Sequence, residues 1–259
     1  MNIAIMICGH WRNGSEYYSN FVDKILKPNK QHNIDLFVVT SAVNTERLTH
    51  NRKSKDLYIN PIGSVKHDKR FSEGNGRIYD ISKVQLSNEI EKIYSNDNLV
   101  DLYFTKEKLV DNDVDGMSWE YFRRGIFSKP YHGMRRINKY QKENNIKYDV
   151  VLRTRPDLIL SEDLVIEEPN KNHIYTIGGH IKNPDRIESG VSLCDFFAYG
   201  DYETMKKYVN IHLIKSPFPT KVKPPFTEAG ENQLCIYLMK NDIKCNFVVK
   251  ERKNWAIPR

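Results

Sequence analysis

Tyr148-Asp149-Val150-Val151-Leu152-Arg153-Thr154-Arg155-Pro156-Asp157-Leu158 runs from a short apolar stretch into two arginines and, past a proline, a single aspartate. Val150 to Leu152 is a β-branched run of the kind that fills the centre of a parallel sheet. Pro156 cannot donate a ladder hydrogen bond, so the strand is expected to end at about Arg155. Arg153 and Asp157 are then delivered to the carboxyl edge of the sheet, where open α/β folds bind their ligands. Arg153 and Arg155 stand two residues apart and are expected to leave one face of the strand. Two cations and an anion at such an edge suit a phosphorylated ligand, with a divalent cation as a candidate bridge from Asp157 to the phosphates. The ordinary alternative is an Arg–Asp ion pair that caps the strand.

Upstream, Met1 to Cys8 reads as a first central strand. It enters Gly9-His10-Trp11-Arg12-Asn13-Gly14, a loop whose first glycine lets the backbone approach a ligand, with Arg12 able to meet a phosphate or base. The loop carries no GxGxxG fingerprint and no P-loop, and Trp11 reads as a packing residue. Ser15 to Leu26 has helical spacing, with Tyr18, Phe21, Val22, Ile25 and Leu26 on one face and Pro28 as its stop. Asp35 to Thr40 is a second buried strand. Strand, helix and strand at this spacing form a βαβ unit and predict a parallel sheet. Thr40, at the end of that second strand, joins Gly9, His10, Arg12, Arg153, Arg155 and Asp157 as a candidate ligand-binding residue.

Further along, Lys66 to Gly76 reads as an exposed loop and Asp111 to Gly116 as an acidic turn. Helices are expected over Ser82–Tyr94, Tyr121–Asn144 (with a break at Lys129-Pro130), Tyr202–Leu213 and Glu228–Asn241. Strands are expected over Val100–Thr105, His173–Ile177, Ser192–Tyr199 and Ile243–Val249. Ser216 to Pro225 is a proline-rich basic loop.

Two more carboxylates deserve a chemical reading. Asp195 lies among apolar residues, so it must be paired, metal-bound or shifted in pKa. It is a candidate general base on a hydroxyl; the alternative is a structural hydrogen bond to backbone amides. Glu231 opens a helix, where acidic side chains are stabilised by the dipole whether or not they act in chemistry. The basic residues Arg123, Arg124, Arg135, Arg136 and Lys139 read as a solvated helix face.

The chain has 259 residues and a formal charge of +7, which favours acidic partners without choosing among them. The length fits one large α/β domain. Its four cysteines, Cys8, Cys194, Cys235 and Cys245, show no CxxC pair and read as reduced thiols. The apolar start is too short for a signal peptide, and no run is long enough to span a bilayer. A cytoplasmic location is therefore expected, with peripheral contact to an anionic membrane surface left open. No zinc-finger, RRM or helix-turn-helix pattern is visible, so nucleic acid is not the expected partner.

Four segments in order resemble GT-A-type glycosyltransferases: Ile3 to Arg12, Tyr148 to Leu158, Asp195 to Gly200 with Met205 and Tyr208, and Glu231 to Leu238. The likeness extends to bacterial WavE-like lipopolysaccharide synthesis proteins and to small glycosyltransferases of large DNA viruses. The resemblance implies a Rossmann-like nucleotide-sugar fold with a mostly parallel central sheet and flanking helices, in one GT-A-like domain. Residues 1–160 would bind the nucleotide sugar and 161–259 would form the acceptor side. It implies transfer of a sugar from a nucleotide-sugar donor to a glycan, glycoprotein or lipid-linked acceptor. Asp157 would match the last aspartate of the family's DxD motif, which contacts metal and donor phosphates, with Mn2+ or Mg2+ as the cofactor. Arg155 stands where the first aspartate stands in that motif, and the late histidine ligand is missing, His212 being the last histidine. Glu231 would match the acidic residue that opens the family's late helix near the acceptor. Two other readings stay open: a nucleotidyltransferase on a similar sheet, and a non-catalytic basic protein that binds nucleic acid or glycan.

Overall fold

The structure is a computed structural model that describes residues 1–11, 14–41, 43–46, 77–80, 82–105, 126–177, 195–215, 230–249 and 255–256. The expected loops at Lys66–Gly76 and Ser216–Pro225, the turn at Asp111–Gly116, and Arg12, Arg123, Arg124 and Cys194 lie outside the described residues.

The centre is the predicted strand and its partner. β1 (Asn2–Cys8) pairs in parallel with β2 (Asn33–Ser41), placing Ile5 opposite Leu36. The helix between them, α1 (Gly14–Phe21), continues as a π-helical turn over Val22–Leu26 and a 3-10 turn over Lys27–Asn29. The expected helix through Leu26 therefore loses its regular ladder after Phe21. Two short strands, β3 (Val43–Glu46) and β4 (Arg77–Asp80), form a separate antiparallel pair. Next come α2 (Lys83–Ile93), β5 (Leu99–Thr105) and α3 (Ser128–Asn144). α3 begins at Ser128, so Pro130 falls in its first turn, where a missing N–H costs no intrahelical bond. Asn145, in the left-handed region at φ 53°, closes the helix with its N–H on the Gln141 carbonyl.

β6 (Val150–Thr154) returns to the other side of β1, placing Leu152 opposite Ile5. The strand stops one residue short of the expected Arg155. After β7 (Ile159–Leu160) and β8 (His173–Ile177), residues 195–197 form a bend and not the start of a strand. Only β9 (Ala198–Asp201) is extended there, continuing past Gly200. α4 (Tyr202–Val209), a 3-10 turn at Asn210–Leu213, α5 (Gly230–Lys240), β10 (Lys244–Val249) and β11 (Trp255–Ala256) complete the chain. Asp201 caps α4 by accepting from the Thr204 amide at 3.0 Å.

The main sheet has seven strands in the order β10-β8-β9-β6-β1-β2-β5. Only β9 runs against its neighbours. The protein is thus α/β, with a mostly parallel mixed sheet flanked by helices, an arrangement compatible with a Rossmann-like fold. Strands from both halves of the chain share this one sheet.

Both faces of the sheet are buried, which is why β1 reads as a continuous apolar run. Ala4, Met6 and Cys8 face a core completed by Met134 and Ile137 of α3, Met205 and Tyr208 of α4, and Leu234 and Leu238 of α5. Ile3, Ile5 and Ile7 face the other core, with Phe21 at the end of α1 and Ile25 just after it, Leu86 and Ile90 of α2, and Leu158, Leu160, Leu164 and Ile166 of the segment after β6. Trp11 is buried in that second core and donates its indole N–H to Glu89 Oε1 at 2.8 Å, as a packing residue should. Among the described residues, no helix is long and apolar enough to cross a membrane.

Candidate functional site

Strand order decides where a ligand can sit. From β1 the chain proceeds outward to β2 and β5, then returns to β6 on the opposite side of β1. The chain leaves β1 toward β2 and leaves β6 toward β8 and β9, so the strand order reverses between β1 and β6, while the segments that follow both strands pack into the same core. This is the topological switch point at which open α/β sheets bind ligands. Gly9 leaves β1 here and Arg155 leaves β6. The two loops touch: a Cβ on Gly9 would lie 3.1 Å from Pro156 Cδ and 3.9 Å from Arg155 Cγ.

Six candidate ligand-binding residues are described, and all six lie on this edge. Gly9 and His10 follow β1, and Gly9 N–H is bonded to the Val39 carbonyl at 3.2 Å. His10 Nδ1 lies 3.0 Å from Ser41 Oγ at the end of β2. Thr40 is buried beside them, and its carbonyl accepts from Thr105 Oγ1 at 3.1 Å. Arg153, Arg155 and Asp157 stand at the end of β6.

The two arginines do not act as the matched pair that period two predicts. β6 ends between them, and their partners belong to different cores. Arg153 is 2% exposed. Its guanidinium lies 4.7 Å from the Phe127 ring centroid, and Nη1 donates to Tyr208 Oη at 3.0 Å. Arg155 keeps 23% of its side chain exposed and lies 5.9 Å from the Phe196 ring, which packs against the opposite core. Its Nε donates to Asp157 Oδ1 and its Nη2 to Oδ2, each at 2.7 Å. This is a two-pronged ion pair around a carboxylate that is 3% exposed.

Asp195 reaches the same place because β9 is antiparallel. Ala198 pairs with Arg153, so the residues just before β9 emerge at the carboxyl edge. Asp195 is buried, and burial raises its carboxyl pKa above the ordinary value; Arg153 and then Arg155 oppose that rise. Glu231 lies in the first turn of α5. α5 ends at the amino edge, where Lys244 of β10 pairs with His173, so Glu231 occupies the helix end away from that edge. The structure brings Asp195 together with Arg153 and Arg155 and leaves Glu231 related to them by topology alone.

Several neighbours carry no local sequence signal. Phe127 and Tyr208 enclose Arg153, and Phe196 lies beneath Arg155. Lys129 is buried and, with Arg153, bears on Cys8; burial raises the Cys8 thiol to about 12 against their pull. Tyr17 of α1 is close enough to Asp157 for the carboxylate to help raise its hydroxyl pKa, behind the larger effects of burial and Glu16. Among the described residues, Thr40 Oγ1 and Arg153 Nε are buried without a hydrogen-bond partner. Both orphans stand where a ligand is expected, and buried polar atoms are rarely left so.

A divalent cation at Asp157 would share its carboxylate with Arg155. Both carboxylate oxygens are engaged by the Arg155 guanidinium. Among the described residues, no group of three or more His, Cys, Asp or Glu side chains is placed to hold a metal ion.

The chain matches no protein-family model and no curated protein.

Proposed function

We propose that this protein is a glycosyltransferase of GT-A type that takes its sugar from a nucleotide donor. One observation supports the reading above the others: the β1/β6 switch point gathers Gly9, Arg153, Arg155, Asp157 and Asp195 at a single carboxyl edge. The motif resemblance, centred on Arg153 to Leu158, supplies the reaction class.

The chemistry follows from charge. The bond between the sugar's anomeric carbon and the donor diphosphate breaks, and its electron pair stays with the departing diphosphate. An acceptor hydroxyl oxygen forms the new bond to that carbon. If the sugar's configuration inverts, the hydroxyl proton passes to a carboxylate, and Asp195 and Glu231 are the two candidates. Negative charge therefore grows on the diphosphate, and cations fixed beforehand stabilise it without reorganising. Arg155 is the more exposed of the two arginines, so a ligand reaches it first. Arg153, held by Phe127 and Tyr208, supplies positive charge from below. Asp195 carries a carboxyl group whose proton affinity is raised by burial, a property that suits a base on a hydroxyl.

The reading is tested by incubating the protein with a panel of UDP-, GDP- and CMP-sugars and following release of free nucleotide by chromatography. Release from one donor, lost in Asp195→Asn together with Glu231→Gln and retained in a surface control such as Lys139→Ala, is the expected result. No release from any donor, with salt-sensitive binding to random-sequence DNA, would favour the basic binding protein instead.

A further inference from the structure

We propose that Asp157 is a positioning residue for Arg155, and that the Arg155 guanidinium takes the place of a divalent cation against the donor diphosphate. The inference rests on the nucleotide-sugar reading and deepens it, because it makes diphosphate binding independent of metal.

Three observations carry it. First, the pair is two-pronged, with Nε on Oδ1 and Nη2 on Oδ2, both at 2.7 Å. That geometry fixes the plane of the guanidinium as well as its position. Second, the Asp157 carboxylate is 3% exposed while Arg155 is 23% exposed. The anion is enclosed and the cation is the partner that solvent reaches. The guanidinium already neutralises this buried carboxylate, so an incoming metal ion would meet a charge that is already paired. Third, the arginine is held from its other sides. The Phe196 ring lies 5.9 Å from the guanidinium carbon, and the Gly9 backbone approaches the Arg155 side chain so closely that a Cβ there would stand 3.9 Å from Cγ.

The arrangement parallels the carboxylates that orient metal-bound histidines: the outer anion sets the direction of the group that touches the ligand. Asp157 acts through Arg155. Its loss should leave the nucleoside's contacts intact and weaken only the phosphate's.

The test is calorimetric titration of the full chain with UDP, GDP, CDP and dTDP, each in EDTA and each in excess MnCl2. The matching nucleoside without phosphates is titrated beside them. For the wild type, one diphosphate is expected to bind with an affinity that changes less than about two-fold between EDTA and manganese. Asp157→Asn should weaken that diphosphate about ten-fold or more and leave the nucleoside's affinity unchanged. Arg155→Lys, which keeps the charge and loses the fork, should do the same, with no rescue by manganese. If Asp157→Asn does not fold, Arg155→Lys carries the test alone. Wild-type affinity that rises ten-fold or more with manganese would overturn the inference and leave the glycosyltransferase reading standing. Equal loss of nucleoside and diphosphate in both variants would reduce the pair to a structural one and overturn it too. If no diphosphate binds in either condition, both the inference and the reading beneath it fall.

Discussion

At the scale of single residues, Asp195 makes an unusual forecast. Its carboxyl pKa is raised in the folded protein, and burial is the larger cause, outweighing the two arginines. A raised carboxyl favours the protonated form in the native state. That contribution is fully present below the unfolded pKa, near 3.8, and is lost as pH rises through the folded value. Above the unfolded value that contribution falls away, and an acidic side chain in this buried place becomes a burden on the fold. Asp195→Asn should melt at or above the wild-type temperature at pH 7, and the gain should shrink toward zero near pH 4. Calorimetric melts at a series of pH values check this. A variant less stable than wild type at pH 7 would mean that the arginines depend on this charge. Losing transfer while gaining stability is the expected mark of a functional carboxylate. The sequence made half of this legible. A lone aspartate among Leu193, Cys194, Phe196 and Phe197 signals burial, but nothing local tells that β9 runs antiparallel and carries it to Arg153 and Arg155.

At the scale of elements, the strands and helices follow from period and punctuation. β1, β2, β5, β6 and β8 lie within two residues of where apolar runs and stop signals put them. The misses share a physical cause. α1 gives way to a π-helical turn, and the segment after β6, for which no element was expected, folds back over it. That fold-back is made by two asparagines far away in sequence. Asn20 exchanges two hydrogen bonds with the Leu160 backbone, at 2.8 and 2.9 Å. Asn29, fully buried, donates to the Ile25 and Leu164 carbonyls and accepts from the Ile166 amide at 2.8 Å. These bonds fix the chain just beyond Asp157 and so hold the β6 end in place. Asn29→Ala would strand three buried backbone groups. Leaving such groups unsatisfied costs about 1–3 kcal/mol each, so a loss of about 2 kcal/mol or more is expected in urea unfolding. Hydrogen exchange should show the Ile166 amide losing its protection. Unchanged stability together with a protected Ile166 amide would show that the clamp is redundant.

For the whole molecule, the mostly parallel sheet was readable because both its faces are covered and the strands are apolar throughout. The gathering of Gly9, His10, Thr40, Arg153, Arg155 and Asp157 on one edge was also readable, since each ends or follows a parallel strand. What the sequence could not give is the pairing at that edge. Arg153 and Arg155 look equivalent as a period-two repeat, yet one is enclosed by Phe127 and Tyr208 and the other is locked to Asp157. Those contacts depend on residues 26 and 55 positions away and on where the strand stops. On the proposed function, this edge holds a nucleotide sugar. A ligand that binds only the native state at about 100 times its dissociation constant adds about 2.7 kcal/mol. For a chain of this size that corresponds to about 5–10 °C in melting temperature. The most direct test is a thermal-shift series with UDP-, GDP- and CMP-sugars, run on the wild type and on Arg155→Lys. One donor should raise the wild-type melting temperature by that amount, and the shift should largely disappear in Arg155→Lys; no shift with any nucleotide sugar, or the same shift in both proteins, would contradict a nucleotide-sugar site at this edge.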